Sequence, residues 1–214
     1  MDDPEATSLQ DRRAHSLHKR GPLLIAGLVL VAGLSRRMGA PKLLLVLHGK
    51  PILRWSVEAL SLHVDDLVVV TGAGAAAVHA ALDGLAVRFV DNTRPERGQG
   101  SSIAVGAAAL GADTDAVIVA LGDQPRLPPD VVPGLIATWR STGRPIVAPV
   151  YQGVQGTPVL FAAEVVPELI ALTGDAGARG VVAARPARVA RVAFDLTMPA
   201  DVDTPEDFAR LHVE

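Results

Sequence analysis

The segment Leu30-Val31-Ala32-Gly33-Leu34-Ser35-Arg36-Arg37-Met38-Gly39-Ala40-Pro41-Lys42 concentrates residues able to do chemistry. An apolar run gives way to small residues, then to two arginines and a lysine. Ala32 and Gly33 let the backbone approach a ligand and aim N–H groups at it. Arg37 and Lys42 add phosphate donors, one a planar fork and the other a point charge. A solvated basic loop would have the same composition. A loop at the carboxyl end of a first central strand, however, lies where open α/β sheets bind ligands. Gly-Lys-Ser/Thr is absent, so this is not a Walker loop.

Other segments carry further candidates. Gly98-Gln99-Gly100-Ser101-Ser102 opens a helix. Its start offers N–H groups at Gly100 and Ser101 to an anion or to a base edge, or else Ser101 or Ser102 is an ordinary N-cap. Leu121-Gly122-Asp123-Gln124-Pro125 follows an apolar run. Asp123 there can hold a Mg²⁺ ion bridging phosphate oxygens, or cap the next turn. Gly72-Ala73-Gly74-Ala75-Ala76-Ala77, with Asp91 about 20 residues on, comes close to a dinucleotide fingerprint and would suit an NAD(P)-dependent oxidoreductase. His15, His18, His48, His63, His79 and His212 form no metal-ligand spacing.

The elements that must position these residues follow from composition and periodicity. The chain has 214 residues, 49% hydrophobic and only 3% aromatic, so Ala, Val, Leu and Gly build its core. That suits packed α/β layers. There is no cysteine, which excludes disulfides, thiolate metal sites and cysteine nucleophiles. A formal charge of −3 gives no field for nucleic acid. The longest apolar run, 22–34, is 13 residues, short of the roughly 20 a membrane span needs, so a cytoplasmic protein is expected. Residues 1–21 read as a polar, disordered tail and 22–214 as one domain. Strands are expected at Leu23–Val31, Leu67–Val70, Val87–Val90, Ala116–Leu121, Ile146–Pro149, Val159–Phe161 and Arg191–Phe194. Helices are expected at Leu53–Leu62, Ala75–Leu82, Ile103–Leu110, Pro129–Arg140, Glu164–Leu172 and Pro205–His212, the last capped by Thr204. This alternation predicts a three-layer α/β/α sandwich on a mostly parallel, Rossmann-like sheet. Tyr151–Pro158 reads as an irregular substrate loop.

The first segment resembles the signature Leu-x-Ala-Gly-x-x-x-Arg-Met-Gly-x-x-Lys of the MobA-like nucleotidyltransferases, whose fold is that of the nucleotide-diphospho-sugar transferases. The likeness runs from about Ala26 to Leu211. It implies an NMP transfer with release of pyrophosphate. Val31, Ala32, Gly33, Leu34, Ser35, Arg37 and Lys42 would wrap the triphosphate, with Gly100 and Ser101 at the base. Arg37, Lys42 and Asp123 would be catalytic, and Asp123 and Asp203 would hold Mg²⁺. Asp201, just ahead of Asp203 in the closing Asp201-Val202-Asp203-Thr204 motif, would lie near the acceptor. Guanylyltransferases of the family tend to carry Gly-Gly where this chain has Ala32-Gly33. Ala32 resembles the molybdenum cofactor cytidylyltransferase branch, so CTP is expected over GTP and molybdopterin as the acceptor. A molybdoenzyme or its maturation factor would then be a partner; a sugar phosphate or another phosphorylated metabolite is the alternative acceptor. Gln155-Gly156-Thr157-Pro158 and Gly174-Asp175-Ala176-Gly177-Ala178-Arg179 resemble the acceptor side, although a histidine is common in the family where Thr157 stands. Gly177 and Arg179 would suit an anionic phosphate, or Arg179 pairs with Asp175.

Overall fold

The computed structural model describes residues 22–33 and 41–213. The expected tail, and Leu34, Ser35 and Arg37 of the basic loop, lie outside the described residues.

The first strand, β1 (Ile25–Leu30), is buried at every position. Ile25, Val29 and Val31 join one hydrophobic cluster, while Ala26, Leu28, Leu30 and Ala32 join another on the opposite face. This two-residue alternation puts β1 at the centre of a three-layer molecule. The further elements are a hairpin β2 (Val46–Leu47) and β3 (Lys50–Pro51), α1 (Ile52–Ser61), β4 (Asp66–Thr71), α2 (Ala75–Ala81), β5 (Arg88–Asp91), α3 (Gln99–Ala108), β6 (Ala116–Leu121), α4 (Val131–Thr142), β7 (Ile146–Tyr151), β8 (Val154–Gln155), β9 (Val159–Ala162), α5 (Val166–Ile170), α6 (Gly177–Ala184), β10 (Val189–Phe194) and α7 (Pro205–Val213). The main sheet runs β10-β7-β9-β6-β1-β4-β5, with β8 attached to β7. α1, α4 and α7 bury Leu53, Leu135 and Leu211 against one face; α3, α5 and α6 bury Ile103, Leu169 and Val182 against the other.

All pairings among β1, β4, β5 and β6 are parallel, as is β7 with β10. β9 runs antiparallel between β6 and β7. The expected three-layer, mostly parallel sandwich is therefore present. Some elements differ from expectation. The helix expected over Glu164–Leu172 divides into a 3₁₀ turn, Ala163–Val165, and the short α5, with Pro167 in its first turn where a missing N–H is tolerated. α6 was not expected: two glycines in Gly-Ala-Arg-Gly-Val-Val-Ala-Ala disfavour a helix. The stretch expected to be irregular opens with a tight hairpin. Gln152 (φ 47°) and Gly153 (φ 87°) turn β7 into β8, two consecutive positive φ values as a type I′ turn requires. Among the described residues no helix is long and apolar enough to cross a membrane.

Candidate functional site

The strands β1 and β6 lie side by side and parallel, so their carboxyl ends open onto the same rim. A cleft of about 580 Å³ lies there. Ala32 and Gly33 enter it from β1 and Asp123 from β6. Among the described residues a Cβ on Gly33 meets nothing within 4 Å, and its φ lies outside the left-handed region that favours glycine. Open space beside a backbone of ordinary conformation is what close ligand approach requires. Val31 does not share this position. Its side chain is 4% exposed in the core, and its N–H donates to the Val70 carbonyl at 2.9 Å. The backbone donors this loop can offer a ligand begin after Val31.

Lys42 opens a 3₁₀ turn, Lys42–Leu44, and is only 9% exposed. Its Nζ donates to Asp123 Oδ2 at 2.6 Å and to Asp203 Oδ1 at 2.7 Å, joining residues 81 and 161 positions apart. Burial works to lower the Lys42 pKa. The charges and hydrogen bonds of Asp123 and Asp203 outweigh it, and the ammonium is held above its ordinary value. Asp203 is placed from two sides. Val202 is fully buried and donates its N–H to the Asp123 carbonyl at 3.1 Å. The next residue, Thr204, caps α7, as expected: Asp207 N–H donates to Thr204 Oγ1 at 3.2 Å, and the N–H groups of Asp203 and Thr204 donate to Asp207 Oδ2 at 3.1 and 2.8 Å. This is a reciprocal capping box.

Asp201 also lines the cleft. Burial pushes its carboxyl up, Asp123 and Asp203 push the same way, and a hydrogen bond from Gln124 Nε2 (2.8 Å) opposes them. Gln124 was not singled out from sequence although it stands inside the Asp123 motif; its burial, 5% exposed, depends on contacts remote in the chain. Two hard carboxylate oxygens, from Asp123 and Asp203, already converge on one cation, the Lys42 ammonium. That donor set suits a hard divalent ion.

At the start of α3 the structure corrects an expectation. Gly98, with φ 91°, is the N-cap, and no serine side chain caps the helix. The Gly100 N–H donates to the Gly174 carbonyl at 2.8 Å, and that of Ser101 to the Gly98 carbonyl at 3.1 Å. Neither backbone donor is available to a base. Gly100 and Ser101 serve instead to join this turn to its neighbours: a Cβ on Gly100 would lie 2.8 Å from the Gly174 oxygen. Gly98, Gln99 and Ser102 line the cleft in their place. The Ser101 and Ser102 hydroxyls accept from Asn92 Nδ2 at 2.9 and 3.0 Å. Asn92 Oδ1 accepts from the Arg94 N–H at 2.9 Å. Asn92, 4% exposed and directly after β5, is a second residue that sequence reasoning missed. Asp175, just ahead of α6, and Arg179, in its first turn, line the same cleft.

The rival glycine segment is accounted for without a dinucleotide. A Cβ on Gly72 would lie 3.2–3.3 Å from the Ala32 carbonyl oxygen, Cα and Cβ, so Gly72 lets the loops after β1 and β4 meet. Gly74, with φ 89°, makes the turn into α2.

Residues 27–189 match the MobA-like NTP transferase domain. The purine catabolism protein PucB of Bacillus subtilis is 32% identical over 88% of this chain and 96% of its own length. The nicotine blue oxidoreductase of Paenarthrobacter nicotinovorans is 32% identical over 87% and 96%, and the molybdenum cofactor guanylyltransferase of Cereibacter sphaeroides 33% over 86% and 93%. Among solved structures, Rv0371c of Mycobacterium tuberculosis superimposes with a TM-score of 0.80 at 32% identity, covering 91% of this chain and all of that one. A manganese complex of the same protein gives 0.76 at 30% identity, covering 91% and 100%. With the match spanning most of its length and a sheet whose first strand feeds the cleft, this chain belongs to the MobA-like NTP transferase family.

Proposed function

We propose that this protein transfers CMP from CTP to a phosphorylated acceptor, molybdopterin, with release of pyrophosphate, and that residues 22–214 work as one cytoplasmic nucleotidyltransferase domain. The observation that carries the reading is the Lys42 ammonium bonded to both Asp123 and Asp203 at the mouth of β1 and β6. In a nucleotide complex Asp123 and Asp203 would hold a divalent cation such as Mg²⁺, which when bound offsets charge on the phosphate oxygens. Lys42, freed from one or both carboxylates, would turn to the triphosphate and offset charge that builds during transfer. Arg37, outside the described residues, is assigned the same task from the family signature. Ala32 and Gly33 would bring backbone against the phosphates. The acceptor's terminal phosphate oxygen would attack the α-phosphorus in line as pyrophosphate leaves. Positioning and electrostatics suffice, so no side-chain nucleophile is required.

The base is assigned to the space between Ala32 and the α3 start, where Gln99 and Ser102 offer polar groups in place of the Gly100 and Ser101 amides. The Ala32 methyl, lining the cleft and backed by Gly72, leaves less room for a purine than glycine would. Arg179 is assigned to the acceptor's phosphate. The glycine fingerprint behind the oxidoreductase reading is accounted for by the crowding of Gly72 against Ala32 and the positive φ of Gly74, so that reading is not favoured.

The test is a thermal-shift and calorimetric screen of the four NTPs with Mg²⁺, followed by pyrophosphate release with molybdopterin or a sugar phosphate. CTP with molybdopterin should turn over fastest. Micromolar binding of NADH without binding of any Mg-nucleotide would overturn the reading, and turnover with a sugar phosphate alone would replace the acceptor.

A further inference from the structure

Gln124 is 5% exposed, yet both ends of its amide are engaged by side chains from remote segments. Nε2 donates to Asp201 Oδ1 at 2.8 Å, and Oε1 accepts from Thr157 Oγ1 at 2.7 Å. The chain continues beyond Thr157, whose carbonyl accepts from the Tyr151 hydroxyl at 2.9 Å. Tyr151 is 1% exposed and stacks on Phe194 with centroids 5.9 Å apart, so this end of the chain is anchored in the sheet. The carboxylate of Asp201 fixes the amide's orientation. Turning it over would set Oε1 against a carboxylate oxygen, two acceptors with no proton between them.

Four aspartates line this cleft, Asp123, Asp175, Asp201 and Asp203, and of these Lys42 bonds Asp123 and Asp203. Asp201 is instead tied through Gln124 to the loop that carries Thr157. We propose that Gln124 is a positioning residue that reserves Asp201 for the acceptor, holding one of its oxygens toward the Thr157 loop so that its carboxylate receives an N–H or hydroxyl donor of the acceptor rather than joining Asp123 and Asp203 on a shared cation. This rests on the nucleotidyltransferase reading and divides the carboxylates of Asp123, Asp201 and Asp203 between two substrates. A carboxylate pinned at one oxygen keeps a defined direction for the other, which is what recognition of a directional donor requires.

Gln124→Met removes the hydrogen bonds to Asp201 and Thr157, and the longer one to the Pro199 carbonyl, at similar volume, and Gln124→Glu keeps the shape but places a second carboxylate beside Asp201. With CTP and molybdopterin as substrates, both should raise the KM for molybdopterin about tenfold or more and leave that for Mg-CTP within about twofold. Thr157→Val should move the same constant, and Thr157→Ser should restore it. The Gln124→Met/Thr157→Val double variant should be no worse than Gln124→Met, because the two residues act as one chain. A rise shared equally by both KM values, a loss confined to kcat, or additive effects would overturn the proposal. Hydrogen exchange of residues 152–158 in substrate-free protein gives a second reading. It should accelerate in Gln124→Met while exchange in α3 stays unchanged, and unaltered exchange in 152–158 would count against the chain. If the wild-type protein turns over no NTP with molybdopterin, the functional reading fails by itself, and the exchange comparison still decides whether Gln124 positions this loop.

Discussion

Lys42→Met deletes the ammonium while keeping the apolar stem of the side chain, and it should move metal binding and turnover in opposite directions. In the structure one Nζ satisfies two carboxylates at 2.6 and 2.7 Å. Removing one partner of a fully buried ion pair costs about 3–5 kcal/mol. Here the side chains of Lys42, Asp123 and Asp203 are 11%, 19% and 43% exposed, so water reaches the carboxylates. The cost falls to about 1–3 kcal/mol, between the buried and exposed limits. In a domain of this size that lowers Tm by about 2–12 °C in EDTA. A divalent cation competes with the ammonium for the same two oxygens, so Lys42→Met should bind Mg²⁺ or Mn²⁺ more tightly than wild type before nucleotide is added. At a hundred times its Kd, that cation restores about 2.7 kcal/mol, and the gap in Tm should close. Turnover, however, should fall by about 10²–10³ in kcat, the scale for losing one preorganised charge partner in a transition state. Calorimetric melts in EDTA and across a MgCl₂ titration, beside a pyrophosphate-release assay, read all three quantities. A variant as stable as wild type in EDTA, or a gap that widens as Mg²⁺ is added, would refute the reasoning.

Other perturbations test separate parts of the site and fold. Asp123→Ala should abolish metal-dependent turnover with an unchanged circular dichroism spectrum, because the residue follows β6 and lies at the cleft rather than in the core; near-normal turnover would remove it from the mechanism. Ala32→Gly should shift the ratio of kcat/KM for CTP over GTP toward GTP by about tenfold to a few hundredfold, the discrimination available from one methyl group in a pocket. Gly100→Ala places a Cβ 2.8 Å from the Gly174 oxygen and 2.9 Å from Thr173 backbone atoms. It should cost about 1–3 kcal/mol in a denaturant melt, as overpacking does, and an unchanged midpoint would show the two segments free to part. The Asp66 carboxyl is held below its usual range chiefly by its hydrogen bonds to Arg88, and a lowered carboxylate pKa stabilises the fold above the unfolded value and loses that contribution as pH falls. Both side chains are more than a third exposed, so Asp66→Asn should cost less than about 1 kcal/mol at pH 7, a deficit that vanishes as the pH falls below about 4.

Features written in consecutive residues were legible in the sequence. Ala116–Leu121 is a continuous apolar run, and β6 occupies those residues. The Asp123 and Asp203 motifs sit at the ends of recognisable elements, and the pairing of β6 beside β1 brings Asp123 to the β1 loop. The hidden features are contacts between segments far apart. Nothing local marks the Gly174 carbonyl as the acceptor of the Gly100 N–H, so that helix start read as an open anion site. Asn92 and Gln124 look like ordinary loop amides, and only tertiary contacts bury them. Gly72 and Gly74 show the converse error. Their spacing imitates a cofactor motif, while the φ of one and the crowding of the other against Ala32 account for both.

The antiparallel course of β9 could not be read from its apolar residues, and it has the largest consequence for the site. β9 pairs with β6 so that Val159 stands opposite Val119 and Ala162 opposite Ala116. The beginning of β9 therefore lies beside the end of β6, at the rim where Asp123 and Gln124 emerge. Thr157, two residues ahead of β9, reaches Gln124 for this reason. Had β9 run parallel to β6, its first residue would lie at the far edge of the sheet. At about 3.3 Å per residue a six-residue strand would separate Thr157 from Gln124 by nearly 20 Å. The reversal of β9 between the parallel strands β6 and β7 delivers the loop assigned to the acceptor to the rim where Asp123 and Gln124 emerge, and so would allow two substrates to share one cleft.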